Sequence, residues 1–224
     1  MQNNRTRQLT ALSMLTAMAF LMGFLRLRGA VPGAQFLTYD PKDVGILLGG
    51  FMFGPVAALL MSIVLALLEM VTVSESGPIG ALMNALSSAS LTCTAAIVYS
   101  RMRNFKGAII GLVLGTVVVT TTMILWNYIM VPIYMPFITR EAVVALIIPA
   151  LLPFNLIKAG INSVLALLVY KHVSAALKAA RLYSFELGTD AAPLRRRDIF
   201  ILVLLAATVV AALVAVVLML LGVI

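Results

Sequence analysis

The stretch "LPFNLIKAGINSVLALLVYK", residues 152–171, has the length and apolarity of a membrane-crossing helix, yet it carries Asn155, Lys158 and Asn162. About 20 predominantly apolar residues span the hydrocarbon core of a bilayer, and a polar group placed there needs a partner or water. Asn155, Lys158 and Asn162 follow one another at helical spacing, so one face of a helix holds all three. This stretch therefore implies two things at once, a membrane span and a polar surface turned toward the protein interior.

The rest of the chain agrees with the first implication. Its 224 residues are 62% hydrophobic and 11% charged, and the mean hydropathy is +1.11, whereas soluble domains are roughly half apolar. Apolar runs lie at 8–27, 56–72, 79–99, 107–131, 153–170 and 199–224, with a shorter one at 44–53. "FGP" at 53–55 reads as a sharp turn, because Gly and Pro together punctuate a helix. The fold class is all-α, a polytopic membrane protein with six helices in a compact body, residues 1–182. A polar linker (183–198, containing "TDAAPLRRRD") and one additional C-terminal transmembrane helix (199–224) follow. The first apolar run follows Arg5 and Arg7, as in a signal peptide, but it exceeds the usual core of about 7–15 residues and is read as part of the mature protein.

The net charge of +8 reflects topology rather than nucleic-acid binding. With the N-terminus in the cytoplasm, Arg5, Arg7, Arg101, Arg103, Lys106, Lys171, Lys178, Arg181 and Arg195 to Arg197 all fall inside, which is the positive-inside pattern. Asp40, Asp43, Glu69, Glu75 and Glu141 gather at the outer side. Carboxylates count little in that rule, so their gathering points to a site. The one cysteine, Cys93, excludes an intrachain disulfide and reads as packing, and His172 reads as a solvated residue at the cytoplasmic end.

Depth arithmetic gathers the polar residues. At about 1.5 Å per helical residue, Lys158 lies roughly 8 Å from the outer end at Pro153, and Asn84 lies about 9 Å from the turn at Pro78. Asn127 lies some 30 Å above the cytoplasmic Lys106. Together with Asn155 they fall in the outer half, on three separate helices, as a cavity between helices requires. Thr116 and Thr120 share the face of Asn127, and Ser87 and Ser88 share that of Asn84; such hydroxyls often join helices without binding anything. Lys158 differs, since no acidic residue lies on its own helix and Glu69 is the one at comparable depth. Lys158 and Asn155 are therefore read as ligand-binding. Residues 28–43, "RGAVPGAQFLTYDPKD", are rich in Gly, Pro and aromatics. They read either as a lid, with Phe36, Leu37 and Tyr39 as apolar cover, or as an ordinary exposed loop.

The chain lacks "HExxH", "GxxxxGK[ST]" and "GxSxG", so the usual parts of zinc proteolysis, nucleotide hydrolysis and serine acyl transfer are missing. No inverted repeat suggests a self-contained secondary transporter.

Four stretches carry a family resemblance: "YDPKDVGILLGGFMFGPVAALL" (39–60), "SGPIGALMNALSSAS" (76–90), "WNYIMVPIYM" (126–135) and "LPFNLIKAGINSVLALLVYK" (152–171). The chain resembles the substrate-binding S components of energy-coupling-factor (ECF) vitamin transporters, most closely the riboflavin-specific group. The resemblance implies a six-helix fold holding vitamin under the loop between helices one and two, with the flavin edge bound by residues matching Asn127, Asn155 and Lys158. An Asn amide both donates and accepts, as the alternating flavin edge demands. The expected substrate-binding set is Asn127, Asn155, Lys158, Asn84, Phe36, Leu37, Thr38, Tyr39 and Glu69, with no metal and no cofactor beyond riboflavin as transported ligand. The resemblance also implies docking on a transmembrane coupling subunit and two ABC-type ATPases, in the bacterial plasma membrane. Ser13 and Ala17 stand at the small-residue positions of the first helix where the family typically has two alanines. The seventh helix has no counterpart in that pattern. An S component for another vitamin or for FMN, a membrane enzyme acting on a lipid head group, and a scaffold subunit are the alternative readings.

Overall fold

The computed structural model describes residues 2–28, 37–72, 77–135, 137–180 and 182. These comprise α1 (Gln2–Met22), a hairpin of β1 (Leu27–Arg28) and β2 (Thr38–Tyr39), α2 (Lys42–Phe53), α3 (Pro55–Thr72), α4 (Gly77–Met102) and α5 (Phe105–Tyr134). Then α6 (Arg140–Leu146) runs through a π-helical turn (Ile147–Leu151) into α7 (Leu152–Ala179). Pro55–Thr72, Gly77–Met102, Phe105–Ile133 and Arg140–Leu177 are long and apolar enough to cross a membrane. The expected linker, the C-terminal helix and Phe36 lie outside the described residues.

The short helix α2 is the centre of the body. Every residue from Lys42 to Met52 is buried, and α2 packs against α1, α3, α4 and α7. Small residues let it sit there: a Cβ on Gly45 would stand 2.6 Å from the Cβ of Ala19 on α1. Close approach also joins α4 to α5, where a Cβ at Gly111 would meet the Ala95 carbonyl oxygen at 2.7 Å and one at Gly115 the Leu91 oxygen at 2.6 Å. Helices in lipid gain affinity by such backbone proximity rather than by a hydrophobic drive. The expected break at "FGP" is present. Gly54 takes φ +94, a region that a Cβ disfavours, and Pro55 opens α3, where its missing N–H costs nothing.

Two boundaries depart from expectation. The first helix starts at Gln2 and stops at Met22 instead of spanning 8–27. The Gly23 N–H donates back to Ala19 and Phe20 at 3.0 Å each, and Arg26 Nε donates to the Gly23 carbonyl at 2.9 Å, turning the chain into the hairpin. The last helical run begins at Arg140 rather than near Pro153. Thr139 caps it by accepting from the Ala142 N–H at 3.3 Å, and Glu141 lies in the first turn, where a carboxylate favours the helix dipole. Pro149 lies inside the π turn and Pro153 in the first turn of α7, both without the N–H that a helix interior uses, and the run continues through the wider turn, where the Leu152 N–H reaches back to the Ile147 carbonyl.

Candidate functional site

The hairpin brings charge into the helical body. Lys158 on α7, half-buried, donates from Nζ to Asp40 Oδ2 at 3.0 Å and to the Thr38 carbonyl at 3.4 Å. One turn further, Asn162 donates to the Asp40 carbonyl at 3.2 Å and to Asp43 Oδ2 at 3.4 Å, and accepts from the Tyr39 hydroxyl at 3.1 Å. Asp43, near the start of α2, accepts from Ser88 of α4 at 2.6 Å. Thus α2, α4 and α7 meet through one carboxylate while the strand β2 lies against α7. Burial alone raises the Asp40 carboxyl, but the ammonium groups of Lys158 and Lys42 outweigh it and hold the group below the ordinary carboxylate range.

This corrects the expectation for Lys158. It has an acidic partner after all, supplied by the loop rather than by Glu69. Glu69, on α3, is fully buried and engaged elsewhere. Lys42 Nζ lies 2.6 Å and Asn84 Nδ2 2.9 Å from its Oε2, and Arg26 Nη2 lies 3.2 Å from Oε1 in a charge contact. Lys42 and Asn84 thus both bond to Oε2 of Glu69, while Arg26 faces Oε1 as a charge partner.

Asn127 and Asn155 are both buried and both anchored to their own helices, Asn127 Nδ2 to the Met123 carbonyl and Asn155 Nδ2 to the Leu151 carbonyl, each at 2.7 Å. One N–H of the Asn127 amide is thereby committed, which fixes the direction of the amide, and its buried Oδ1 has no hydrogen-bond partner among the described residues. An acceptor left unpaired in the interior costs about 1–3 kcal/mol, so it marks a place where a donor is wanted. Leu37, at the entry to β2, is buried among Ile124, Tyr128 and Val131 of α5, Val143 of α6, and Ala150 and Leu151 of the π turn. The π turn therefore carries both the carbonyl that holds Asn155 and part of the apolar wall beneath Leu37. On α1, Ser13 and Ala17 are exposed, while Ala11, Leu15 and Ala19 face the core.

Sequence reasoning placed Asp40 and Asp43 on the outer side without assigning them partners, and gave Arg26 and Lys42 no role. The signal was present in "YDPKD", three charges entering a helix that is otherwise apolar. Asn162 lay on the noticed polar face of α7, and its role is to tie that face to the hairpin.

A small helical membrane body, with its polar residues collected beneath a hairpin, defines a membrane protein of the S-component fold. The chain belongs to the ECF transporter substrate-specific components, whose family model matches residues 7–170. It is 34% identical over 185 residues to "Riboflavin transporter RibU" of Staphylococcus aureus, covering 80% of this chain and 95% of that one. It is 26% identical over 175 residues to "Riboflavin transporter FmnP" of Bacillus subtilis, covering 74% and 91%. A solved structure described as "Structure and mechanism of the S component of a bacterial ECF transporter" superposes with a TM-score of 0.65 at 33% identity, covering 78% of this chain and 99% of that one.

Proposed function

We propose that this protein is the riboflavin-capturing subunit of an ECF-type importer, in which Asn127, Asn155 and Lys158 hold the flavin edge beneath the hairpin. The observation that carries the reading is the buried Oδ1 of Asn127, which has no hydrogen-bond partner among the described residues. With the amide nitrogen fixed on the Met123 carbonyl, this oxygen is an oriented acceptor suited to the imide N–H of an isoalloxazine ring. Asn155 and Lys158 supply neighbouring groups for the flanking carbonyls or the ribityl hydroxyls. Leu37, Thr38 and Tyr39 lie in or beside β2 as the cover, and the relatives named as riboflavin transporters support the choice of vitamin.

Charge balance favours riboflavin over FMN. Around the hairpin, the cations Arg26, Lys42 and Lys158 stand against the carboxylates Asp40, Asp43 and Glu69. Each of these described cations already faces a carboxylate, so a phosphate dianion would have to compete for them, and burying an unpaired charge is costly. Uptake is then driven by ATP hydrolysis on two partner ATPases through a transmembrane coupling subunit, with the S component tilting in the plasma membrane to present its cargo inward. The N-terminus is cytoplasmic in this reading, and the exposed Ser13 and Ala17 of α1 form part of the docking face.

Purified protein is expected to carry yellow flavin and to quench riboflavin fluorescence on titration, with FMN binding at least about tenfold more weakly, a difference of about 1.4 kcal/mol. Folded protein that binds no flavin would refute the reading.

A further inference from the structure

Arg26 and Lys42 bracket the hairpin. Arg26 immediately precedes β1, and Lys42 opens α2 just after β2. Both reach the same carboxylate, that of Glu69 on α3, at 3.2 and 2.6 Å. Asn84 of α4 secures Oε2 from another helix. The turn that ends α1 lies against the same group, since a Cβ on Gly23 would stand 3.1 Å from Glu69 Oε1. The roots of both strands thus converge on one buried point. The contacts with α7 are a separate set, made by Thr38, Tyr39, Asp40 and Asp43 with Lys158 and Asn162.

The two sets are mechanically linked through strand register. Leu27 pairs with Tyr39 and Arg28 with Thr38. Arg26 is adjacent to Leu27, so displacement of Arg26 passes directly to Tyr39 and from there to Asn162. In a low-dielectric interior, a carboxylate bridging two cations resists displacement strongly, because losing either partner leaves charge uncompensated.

Building on the riboflavin reading, we propose that Glu69 is a positioning residue. It pins both roots of the hairpin so that β2 stays in register with α7, and it thereby slows escape of the bound flavin without touching it. This departs from the sequence expectation that Glu69 contacts substrate.

The test uses the full chain in detergent with Thr38→Cys as a reporter for a membrane-impermeant maleimide, since the native Cys93 is buried. Glu69→Gln and Arg26→Gln are each expected to raise the labelling rate at position 38 about tenfold and, in chains that keep Thr38, to raise flavin koff by a similar factor, with kon within about threefold. Arg26→Lys, which keeps the charge, is expected to stay near the parent in both. Unchanged labelling in folded Glu69→Gln and Arg26→Gln overturns the proposal, and so does a parallel rise at Cys93, which would mean general loosening. If Glu69→Gln fails to fold, Arg26→Gln decides alone, because it leaves the Lys42–Glu69 pair in place. Labelling does not depend on flavin, so a folded chain with Thr38 intact that binds no riboflavin refutes the transport reading and leaves the pin to be judged by labelling.

Discussion

Replacing Lys158 by Met separates its two roles, as partner of Asp40 and as ligand group. Breaking a buried ion pair costs about 3–5 kcal/mol because it strands the remaining charge. Here the Lys158 side chain is 14% exposed and that of Asp40 6%, and Lys42 also acts on Asp40. The expected loss is therefore at or just below that range, about 2–3 kcal/mol. Adding Asp40→Asn removes the stranded charge, and the double variant is expected to recover at least about half of that loss. Flavin affinity does not recover with it. The ligand still lacks a charged donor worth about 1.5–3 kcal/mol, which is roughly a 10- to 150-fold weakening. Thermal unfolding followed through Trp126, the single tryptophan, measures the first quantity, and fluorescence titration with riboflavin measures the second. A double variant as unstable as Lys158→Met would show that the pair does not account for the loss. Full affinity in the double variant would remove Lys158 from the flavin site.

Four further outcomes follow from the same geometry. Asn127→Leu removes the oriented acceptor and is expected to weaken riboflavin binding by about 1–3 kcal/mol; an unchanged titration curve would place the flavin elsewhere. Gly115→Ala gains about 1 kcal/mol of helix propensity yet is expected to lower the unfolding temperature, because its methyl would meet the Leu91 carbonyl oxygen at 2.6 Å; a stabilised variant would refute the tight α4–α5 packing. Ser13→Leu with Ala17→Leu, on the exposed side of α1, is expected to leave flavin titration unchanged and to abolish co-purification with the coupling subunit; intact assembly would move docking to another face. Asp40 has a depressed folded value, so its contribution is complete above the unfolded carboxylate value near ~3.9 and is lost only as pH falls through the lower folded value. Unfolding temperature is accordingly expected to owe no change to Asp40 between about pH 8 and about pH 5, and a drop in that window that disappears in Asp40→Asn would contradict this.

The parts of the fold legible in the sequence are those written locally. Gly54 and Pro55 mark the break between α2 and α3 because one supplies a positive φ and the other a fixed one. The apolar runs at 56–72, 79–99, 107–131 and 153–170 each fall in a helix long and apolar enough to cross a membrane, because the bilayer imposes a length. Pro149 and Pro153 mislead by the same local logic, since each forbids a regular helical bond, yet the helix runs on through a π turn that contains Pro149 and through Pro153 in the first turn of α7. The site is less local. Lys158 has no partner on its own helix because Asp40 lies 118 residues away, and only the fold of the hairpin onto α7 closes that distance. Asn127 and Asn155 are identifiable as costly residues in apolar helices, whereas the direction of each amide depends on the Met123 and Leu151 carbonyls.

The answer to why hydrocarbon tolerates Lys158 therefore differs from a simple ligand argument. The ammonium has a counter-charge, but that charge is carried on the connection between β2 and α2 rather than on a neighbouring span. Moving the hairpin away from α7 removes Asp40 from Lys158 and Tyr39 from Asn162 together. An opened hairpin thus carries an electrostatic penalty at the position where the proposed flavin binds. A flavin that gives the ammonium an acceptor favours closure only if it adds to the Asp40 bond rather than replacing it, since a ligand shifts the equilibrium only by its differential affinity for the two states. Nζ has three donors, and Asp40 Oδ2 with the Thr38 carbonyl accounts for two of them. The third has no acceptor among the described residues and can serve a guest without surrender of the pair. On the proposed reading, hairpin closure and flavin capture would reinforce one another rather than compete for the same ammonium.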